Sequence, residues 1–531
     1  MFNLMPRVHR AMVATPHYLA SAVGSQILQQ GGGAYDAAVA ISAALGVVYP
    51  HMTGLGGDAF FLAYDAKTRR IEGYNGSGRA AAAATPAHFA ALGADAIPYR
   101  GALAALTVPG MADAWWHAWR RGGKLAWAEL LAPAIRYAEE GFPVSRNLRN
   151  WIVRDRDVLS ADARMAAVYL PNGQVPREGE RLVQSALAES LKLLQLEGRS
   201  AFYEGELMRE LTRASERDGG LLREEDFRRH RGEWVAPISA SYRGYDLYQM
   251  PPNSQGFAAL LMMNMLEHTE LAGIPRHSPA FYHLVTEVVK LAFAERDRYL
   301  TDPAFRQIPL EMLLSKPFAK RLFERISLQP PKAETFLSQA MGQDTAYAAV
   351  VDEEGNAVSF IQSLYFDFGA ACMGGDTGII LQNRGSFFSL DPASPNVLEP
   401  RKRSFHTLMP GMVLKDGKPF LLVGTQGGEG QPQTTLSVLT GVLDYGLTIQ
   451  EAIGLPRWVY GRTWGVSADT LKVEGRCGPE VAERLAAWGH RVEVLQDWDD
   501  ATGQSQGILI SPDGTISGAA DPRGDGSAVG W

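Results

Sequence analysis

The chain has 531 residues, is 46% apolar and carries 51 basic against 58 acidic side chains, a net charge of −7. It is long enough to bury a large core, and its mild acidity argues against nucleic acid as the main partner. Two cysteines, Cys372 and Cys477, exclude a disulfide framework, and with no secretory h-region and no membrane-length apolar run the expected home is the cytoplasm.

In chain order, residues 18–30 place Leu19, Ala22, Val23 and Ile27 on one helical face and stop at Gly31-Gly32-Gly33. Residues 34–48 read as a second, nearly all-apolar buried helix. The glycine-rich loop Thr53–Asp58 then feeds a strand, Ala59–Asp65. From about 110 to 330 the pattern is mainly helical, broken at Met250-Pro-Pro-Asn253 and Leu328-Gln-Pro-Pro331. Residues 332–344 are polar and weakly periodic, a loop. Short strands follow: Ala346–Asp352 and Ala357–Leu364 flank the turn Glu353–Asn356, and Gly411–Lys415 and Pro419–Gly424 flank Asp416-Gly417. The loop Gln426–Gln431 leads into a helix from Pro432 to about Tyr445. Helices outside stacked sheets are the expected architecture.

Several chemistries lack their signals. There is no phosphate-binding loop, and the glycines at 54, 56 and 57 do not complete a dinucleotide fingerprint because Ala59 stands in third place. The eleven histidines make no zinc motif, neither cysteine has a neighbour at metal-ligand spacing, and no nucleophile elbow occurs. No metal and no organic cofactor is expected. A hydrolase built on this chain needs another nucleophile, and Thr345, where a polar loop meets a buried strand, is the candidate. Taken alone, a threonine there is usually structural.

Its company changes that. Gly31-Gly-Gly-Ala-Tyr-Asp-Ala-Ala-Val39, Gly54-Leu-Gly-Gly-Asp58, Leu106-Thr-Val-Pro-Gly110, Tyr242-Arg-Gly-Tyr245, Val350-Val-Asp-Glu-Glu-Gly-Asn356, Gly427-Gly428 and Asp521-Pro-Arg523 follow one another over more than four hundred residues. Together the chain resembles the γ-glutamyltransferase (glutathione hydrolase) family of N-terminal-nucleophile hydrolases. The resemblance implies an α+β fold, a four-layer αββα sandwich, made as a proenzyme. It places the self-cleaved bond at Asp344–Thr345, seven residues before Asp352, giving a large piece, 1–344, and a small piece, 345–531, interleaved in one structural unit. Thr345 would then attack through its hydroxyl with its own α-amine as base, a group that titrates near about pH 8. Ser363 matches the hydroxyl that bonds the nucleophile, and Gly427-Gly428 match the oxyanion hole. A solvent-facing strand hydroxyl and a plain turn are their ordinary alternatives.

The substrate clamp departs from the family pattern. The family's arginine position holds Ser77, with Arg79 two residues on. Its glutamine position holds Arg384 and its aspartate position Phe387. Its asparagine near the nucleophile is Tyr365, and its serine pair is His406-Thr407. Phe387 cannot pair with an ammonium, whereas Arg384 offers a planar fork for a carboxylate. Arg384, His406, Thr407, Tyr365 and Arg79 are therefore the candidate substrate contacts, although Arg384 could be a structural arginine and His406 a satisfied core histidine. The set resembles a branch that includes oxamate amidohydrolase-like proteins. Three readings stay open: an amidohydrolase for a small carboxylate-bearing amide, a glutathione hydrolase or γ-glutamyl transferase with a rearranged clamp, and an unprocessed binding relative. The expected partners are a small-molecule amide and the chain's own two fragments, with no nucleic acid and no membrane. Self-association into a homo-oligomer stays open.

Overall fold

The computed structural model describes residues 5–327, 344–461 and 469–531. The loop expected at 332–344 falls almost wholly outside them. Two seven-stranded sheets form the centre. Their strands, in chain order, are β1 (Arg7–Val8), β2 (Met12–Thr15), β3 (Asp58–Asp65), β4 (Arg70–Asn75), β5 (Glu233–Val235), β6 (Ile238–Tyr242), β7 (Tyr245–Gln249), β8 (Asp344–Val351), β9 (Ala357–Tyr365), β10 (Gly411–Lys415), β11 (Lys418–Thr425), β12 (Ser505–Ile510), β13 (Ile516–Ala520) and β14 (Ser527–Gly530). One sheet runs β1-β13-β12-β11-β10-β7-β6 and the other β14-β2-β8-β9-β3-β4-β5.

Side-chain alternation explains why the sheets stack. Along β8, Tyr347, Ala349 and Val351 join Met12, Phe60, Leu62 and Ile361 against Met412, Leu422 and Ile508 of the opposite sheet. The intervening Ala346, Ala348 and Val350 face the other way, into a core built with the helices α1 (Tyr18–Gln29), α2 (Ala34–Val48), α3 (Met111–Gly122) and α4 (Trp127–Glu140). The outer face of the first sheet, with Val413, Leu421 and Val423, packs on α5 (Gly256–Leu266), α6 (Pro279–Tyr299), α7 (Gly430–Leu443) and α8 (Ile449–Gly454). The layers are therefore helix, sheet, sheet, helix, the αββα order implied by the resemblance.

Turn chemistry sets the registers. Asp416 and Gly417 take φ of 52° and 73°, the left-handed pair that joins β10 to β11. Between β8 and β9, the Asp352 carboxylate accepts from the N–H groups of Glu354 and Asn356, and its second oxygen accepts from Ala34 at the head of α2. One side chain thus closes the hairpin and ties it to the helical layer. The stretch 110–330 is not helical throughout. It contains β5, β6 and β7, and the β6–β7 turn uses Arg243 and Gly244 with φ of 50° and 77°.

Strands from either side of position 344 interleave. β8 lies between β2 and β9, β9 pairs with β3, and β10 pairs with β7. A cut between residues 344 and 345 would leave these ladders and all three inter-layer cores intact. Cleaved protein should therefore give two bands on a denaturing gel and one peak, at the size of the uncut chain or a multiple of it, in native size exclusion. Fragments that separate under native conditions would contradict this packing.

Candidate active site

Thr345 stands near the head of β8 and is buried. Asp344 pairs with Tyr365 and Ala346 with Gln362, so Thr345 alone opposes Ser363 and Leu364. This is a β-bulge, which re-aims a side chain at the end of a ladder. The Thr345 hydroxyl accepts a hydrogen bond from the Gln431 amide at 3.3 Å. Ser363, buried on β9, accepts from the Tyr365 N–H at 2.7 Å and pairs through its backbone with Asp58 on β3.

Gly427 and Gly428 follow β11 of the facing sheet. Their φ values of 125° and 50° lie in the left-handed region, where a side chain would be strained. The Gly427 carbonyl accepts from Gly430 N–H, and the Gly428 carbonyl accepts from Gln431 N–H and the Gln255 side chain. With the carbonyls turned into the helix start, the two glycine N–H groups donate to no acceptor among the described residues. This leaves two adjacent donors available to an oxyanion next to the turn that carries Gln431.

Arg384 lies in a short 3-10 turn, Arg384–Phe387, and is fully buried. Its guanidinium lies 4.0 Å from the centre of the Tyr365 ring, and Nη1 donates weakly to the Thr407 hydroxyl at 3.4 Å. No carboxylate among the described residues comes within ion-pair distance of it, and its Nε has no acceptor there. Burial pushes its pKa down to about 10, opposed by Tyr365 and Asp58, so it remains a cation at neutral pH. A cation kept out of water without a partner costs on the order of several kcal/mol. Tyr365 itself has φ of 86°, unusual for a bulky residue.

His406 is differently placed. Its Nδ1 accepts from Leu408 N–H, so Nε2 carries the proton and donates to Asp58 at 3.2 Å. Both nitrogens are engaged, and the ring supports Asp58 instead of presenting a free donor. Burial and the nearby Arg384 push its pKa down to about 4. The other Asp58 oxygen accepts from Gly78 N–H, Gly110 N–H and the Gln382 amide. Arg79 is not part of this group: it pairs with Asp302 at 3.0 Å and Glu233 at 3.2 Å and is one-third exposed. Two carboxylates thus already occupy the guanidinium that was expected to contact substrate. Ser77 is buried and donates to Asn75.

Beside Tyr365 opens a cavity of about 200 Å³ lined by Tyr99, Leu300, Phe387, Phe405 and Asp297, among others. Phe387 meets Tyr365 edge-on and packs against Phe405. Asp297 uses one oxygen to accept from Arg296, while the other has no donor among the described residues.

Sequence reasoning singled out neither Gln431 nor the support behind it. Gln255 donates to the carbonyls of both Thr407 and Gly428. Its own amide oxygen accepts from Arg296, which also pairs with Glu429 at 2.6 Å. In the sequence the run Gly427-Gly-Glu-Gly-Gln431 reads only as a loop leading into a helix, with nothing local that marks Gln431. Burial raises both thiols, Cys372 to about 12 and Cys477 to about 11, so neither is an ionised nucleophile at neutral pH. His283, Glu287 and His490 come close enough together to ligate a metal ion. Here the two rings hydrogen-bond each other at 2.8 Å and Lys290 pairs with Glu287.

The His406 arrangement has a pH signature. The unfolded chain takes up the proton near about pH 6.5, whereas native His406 does so only at about 4. Stability contributed by the neutral ring is complete above the higher value and lost as pH falls towards the lower one. Urea midpoints of wild type and His406→Asn should lie furthest apart above about pH 7 and converge towards about pH 4. A constant gap would show that His406 titrates alike in both states.

The geometry agrees with what the chain resembles among known proteins. The sequence profile of the Gamma-glutamyltranspeptidase family matches residues 20–531. A glutathione hydrolase-like YwrD proenzyme of Bacillus subtilis is 52% identical over 521 residues, covering 98% of each chain. An oxamate amidohydrolase proenzyme of Klebsiella pneumoniae is 38% identical over 526 residues, again covering 98% of each. A crystal structure of cephalosporin acylase from Bacillus halodurans superimposes with a TM-score of 0.93 at 36% identity, over 100% of this chain and 97% of that one. The chain belongs to the gamma-glutamyltranspeptidase family and is a hydrolase proenzyme of the N-terminal-nucleophile type.

Proposed function

We propose that the mature protein hydrolyses the amide of a small acyl group that bears a carboxylate and no α-ammonium, an oxamate-like substrate, through an acyl-Thr345 intermediate. The observation that carries this reading is Arg384: a fully buried cation with no carboxylate partner among the described residues, beside the residue that opposes Asp344. A substrate carboxylate would supply the missing charge, and the Thr407 hydroxyl stands ready beside it. The names of two relatives, oxamate amidohydrolase and glutathione hydrolase, belong to the two substrate classes in contention.

The chemistry needs only groups of this chain. In the precursor, the Thr345 hydroxyl attacks the Asp344 carbonyl carbon and the peptide C–N bond breaks with its nitrogen taking up the proton, which frees the α-amine and leaves an ester; water then hydrolyses that ester, releasing the Asp344 carboxylate and restoring the hydroxyl. In turnover that amine takes the hydroxyl proton as the oxygen–carbon bond forms. It then passes the proton to the leaving nitrogen as the amide bond breaks. The N–H groups of Gly427 and Gly428 hold the oxyanion, and Ser363 orients the nucleophile from the neighbouring strand. Water then attacks the acyl ester by the same route in reverse. The strand and loop that carry these groups are fixed before substrate arrives, which is what makes their dipoles effective.

Asp297 favours a second reading. Its unpartnered oxygen lines the cavity beside Tyr365 and could take the ammonium of a γ-glutamyl donor whose carboxylate rests on Arg384. The two are separated by measuring ammonia release from oxamate beside anilide release from a γ-glutamyl anilide. The first reading expects oxamate to be the better substrate. It also expects Arg384→Ala to lower kcat/KM by about 10²-fold, with Asp297→Asn near wild type. Preference for the γ-glutamyl anilide together with a large loss in Asp297→Asn would favour the second. Thr345→Ala should remain one uncut, inactive chain; a cut and active variant would remove the nucleophile assignment.

A further inference from the structure

We infer that Gln431 is a further catalytic residue, with one half of its carboxamide serving the Thr345 hydroxyl and the other half serving the α-amine that Thr345 gains on cleavage. The inference rests on the reading of Thr345 as nucleophile and goes beyond the groups that reading requires.

Gln431 lies in the first turn of α7, two residues after the Gly427-Gly428-Glu429 turn, and is completely buried. Its backbone N–H is committed to the Gly428 carbonyl. Its side-chain nitrogen donates to Thr345 Oγ1 at 3.3 Å, while its side-chain oxygen, equally buried, has no donor among the described residues. A buried amide oxygen left without a donor costs about 1–3 kcal/mol. A polar group kept in that state beside a reacting atom fits a partner that appears only in the mature enzyme.

Cleavage supplies such a partner. Before the cut, the Thr345 nitrogen is a peptide N–H with one proton to donate. Afterwards it is an α-amine, and when it takes the hydroxyl proton it becomes an ammonium with three. An acceptor on the same side chain that touches Oγ1 can stabilise that ammonium at the moment of attack. On the other arm, an N–H donated to Oγ1 disperses the negative charge that builds on the oxygen as its proton leaves. It also directs the hydroxyl's own proton away from Gln431, towards its base. The oxygen–carbon bond forms and the proton moves from Oγ1 to the amine; Gln431 gives up and takes up nothing. Glu429, paired with Arg296, and Gln255, bonded to the Gly428 carbonyl, hold the turn from which Gln431 projects.

The test uses full-length chains carrying Gln431→Met, which keeps the volume but neither hydrogen bond, and Gln431→Glu, which keeps an acceptor but loses the donor. Self-cleavage is followed on denaturing gels. The processed enzymes are then assayed for kcat, KM and the pH dependence of kcat/KM on the better of the two amides named above. Gln431→Met should cleave slowly and lose about 10²-fold in kcat, with KM changed by less than about threefold. Gln431→Glu should move the acid limb of kcat/KM up by about one unit, because a carboxylate beside the amine holds its proton. Should Gln431→Met fail to fold, the Gln431→Glu limb decides: an unmoved limb overturns the inference, as does Gln431→Met with wild-type kcat. Thr345→Ala run in parallel keeps the readings apart. An inactive Thr345→Ala beside an unaffected Gln431→Met sinks this inference alone, whereas an active Thr345→Ala sinks the nucleophile.

Discussion

A nucleophile made by cutting the chain must be held in place by everything except the bond that is cut. With Thr345 as the proposed nucleophile, that constraint explains its place near the head of an interior strand and not in a loop. β8 is bonded on one side to β2 and on the other to β9, and its two faces are packed into different cores, one between the sheets and one under the helices. Losing the tie to residue 344 removes none of these contacts. The interleaving of early and late strands follows from the same need, since a small piece forming its own sheet could drift from a large piece forming another.

Within that frame, charge is the second constraint. Asp58 and Arg384 are both buried and act on each other electrostatically, with neutral His406 bonded to Asp58 and Thr407 to Arg384. Asp58 is fully satisfied, by two backbone N–H groups, an amide and the His406 ring. Arg384 is not. A low-dielectric interior magnifies that difference, so an anion entering beside Tyr365 gains more from Arg384 than it would at the surface. Keeping His406 neutral is part of the design: a protonated ring would place a second cation beside Arg384 and lose the Nδ1 lone pair that accepts from Leu408 N–H.

Much of the frame was legible because turn chemistry and periodicity are local. Gly31-Gly32-Gly33 ended a helix, Asp416-Gly417 and the Asp352–Asn356 turn made hairpins, and the short runs flanking the latter are strands buried on both faces. The β6–β7 hairpin was less visible: Arg243-Gly244 is a poorer turn signal than Asp-Gly, and it sits among helices. The active site was legible only in part. Thr345, Ser363 and the glycine pair are singled out only by what the family resemblance implies, since a strand-start threonine, a strand hydroxyl and a glycine turn are each ordinary on their own. Gln431, Gln255, Arg296 and Glu429 meet through contacts spanning tens to well over a hundred residues, and no local pattern marks a glutamine at a helix start as different from its neighbours. Arg79 and Arg384 show the same limit. Both were arginines near family positions, and only the carboxylates brought in by distant segments, Asp302 and Glu233, decide which of them is left unpaired.

Gln255 shows how the two halves of the site depend on each other. Through one amide nitrogen it holds the carbonyl of Thr407, beside Arg384, and the carbonyl of Gly428, in the oxyanion turn. On the proposed function, the substrate's charged end and its reacting carbonyl meet surfaces that share a support, itself anchored by Arg296 between Gln255 and Glu429. A side chain in a loop can change the acyl group that is accepted, the role proposed for Arg384, without disturbing the strands that carry Thr345 and Ser363. A change to the shared support cannot be confined in that way, because it moves the clamp and the oxyanion turn together. Specificity in this fold is thus free to vary at the tips of the loops and constrained at their base, where recognition and catalysis rest on the same buried amide.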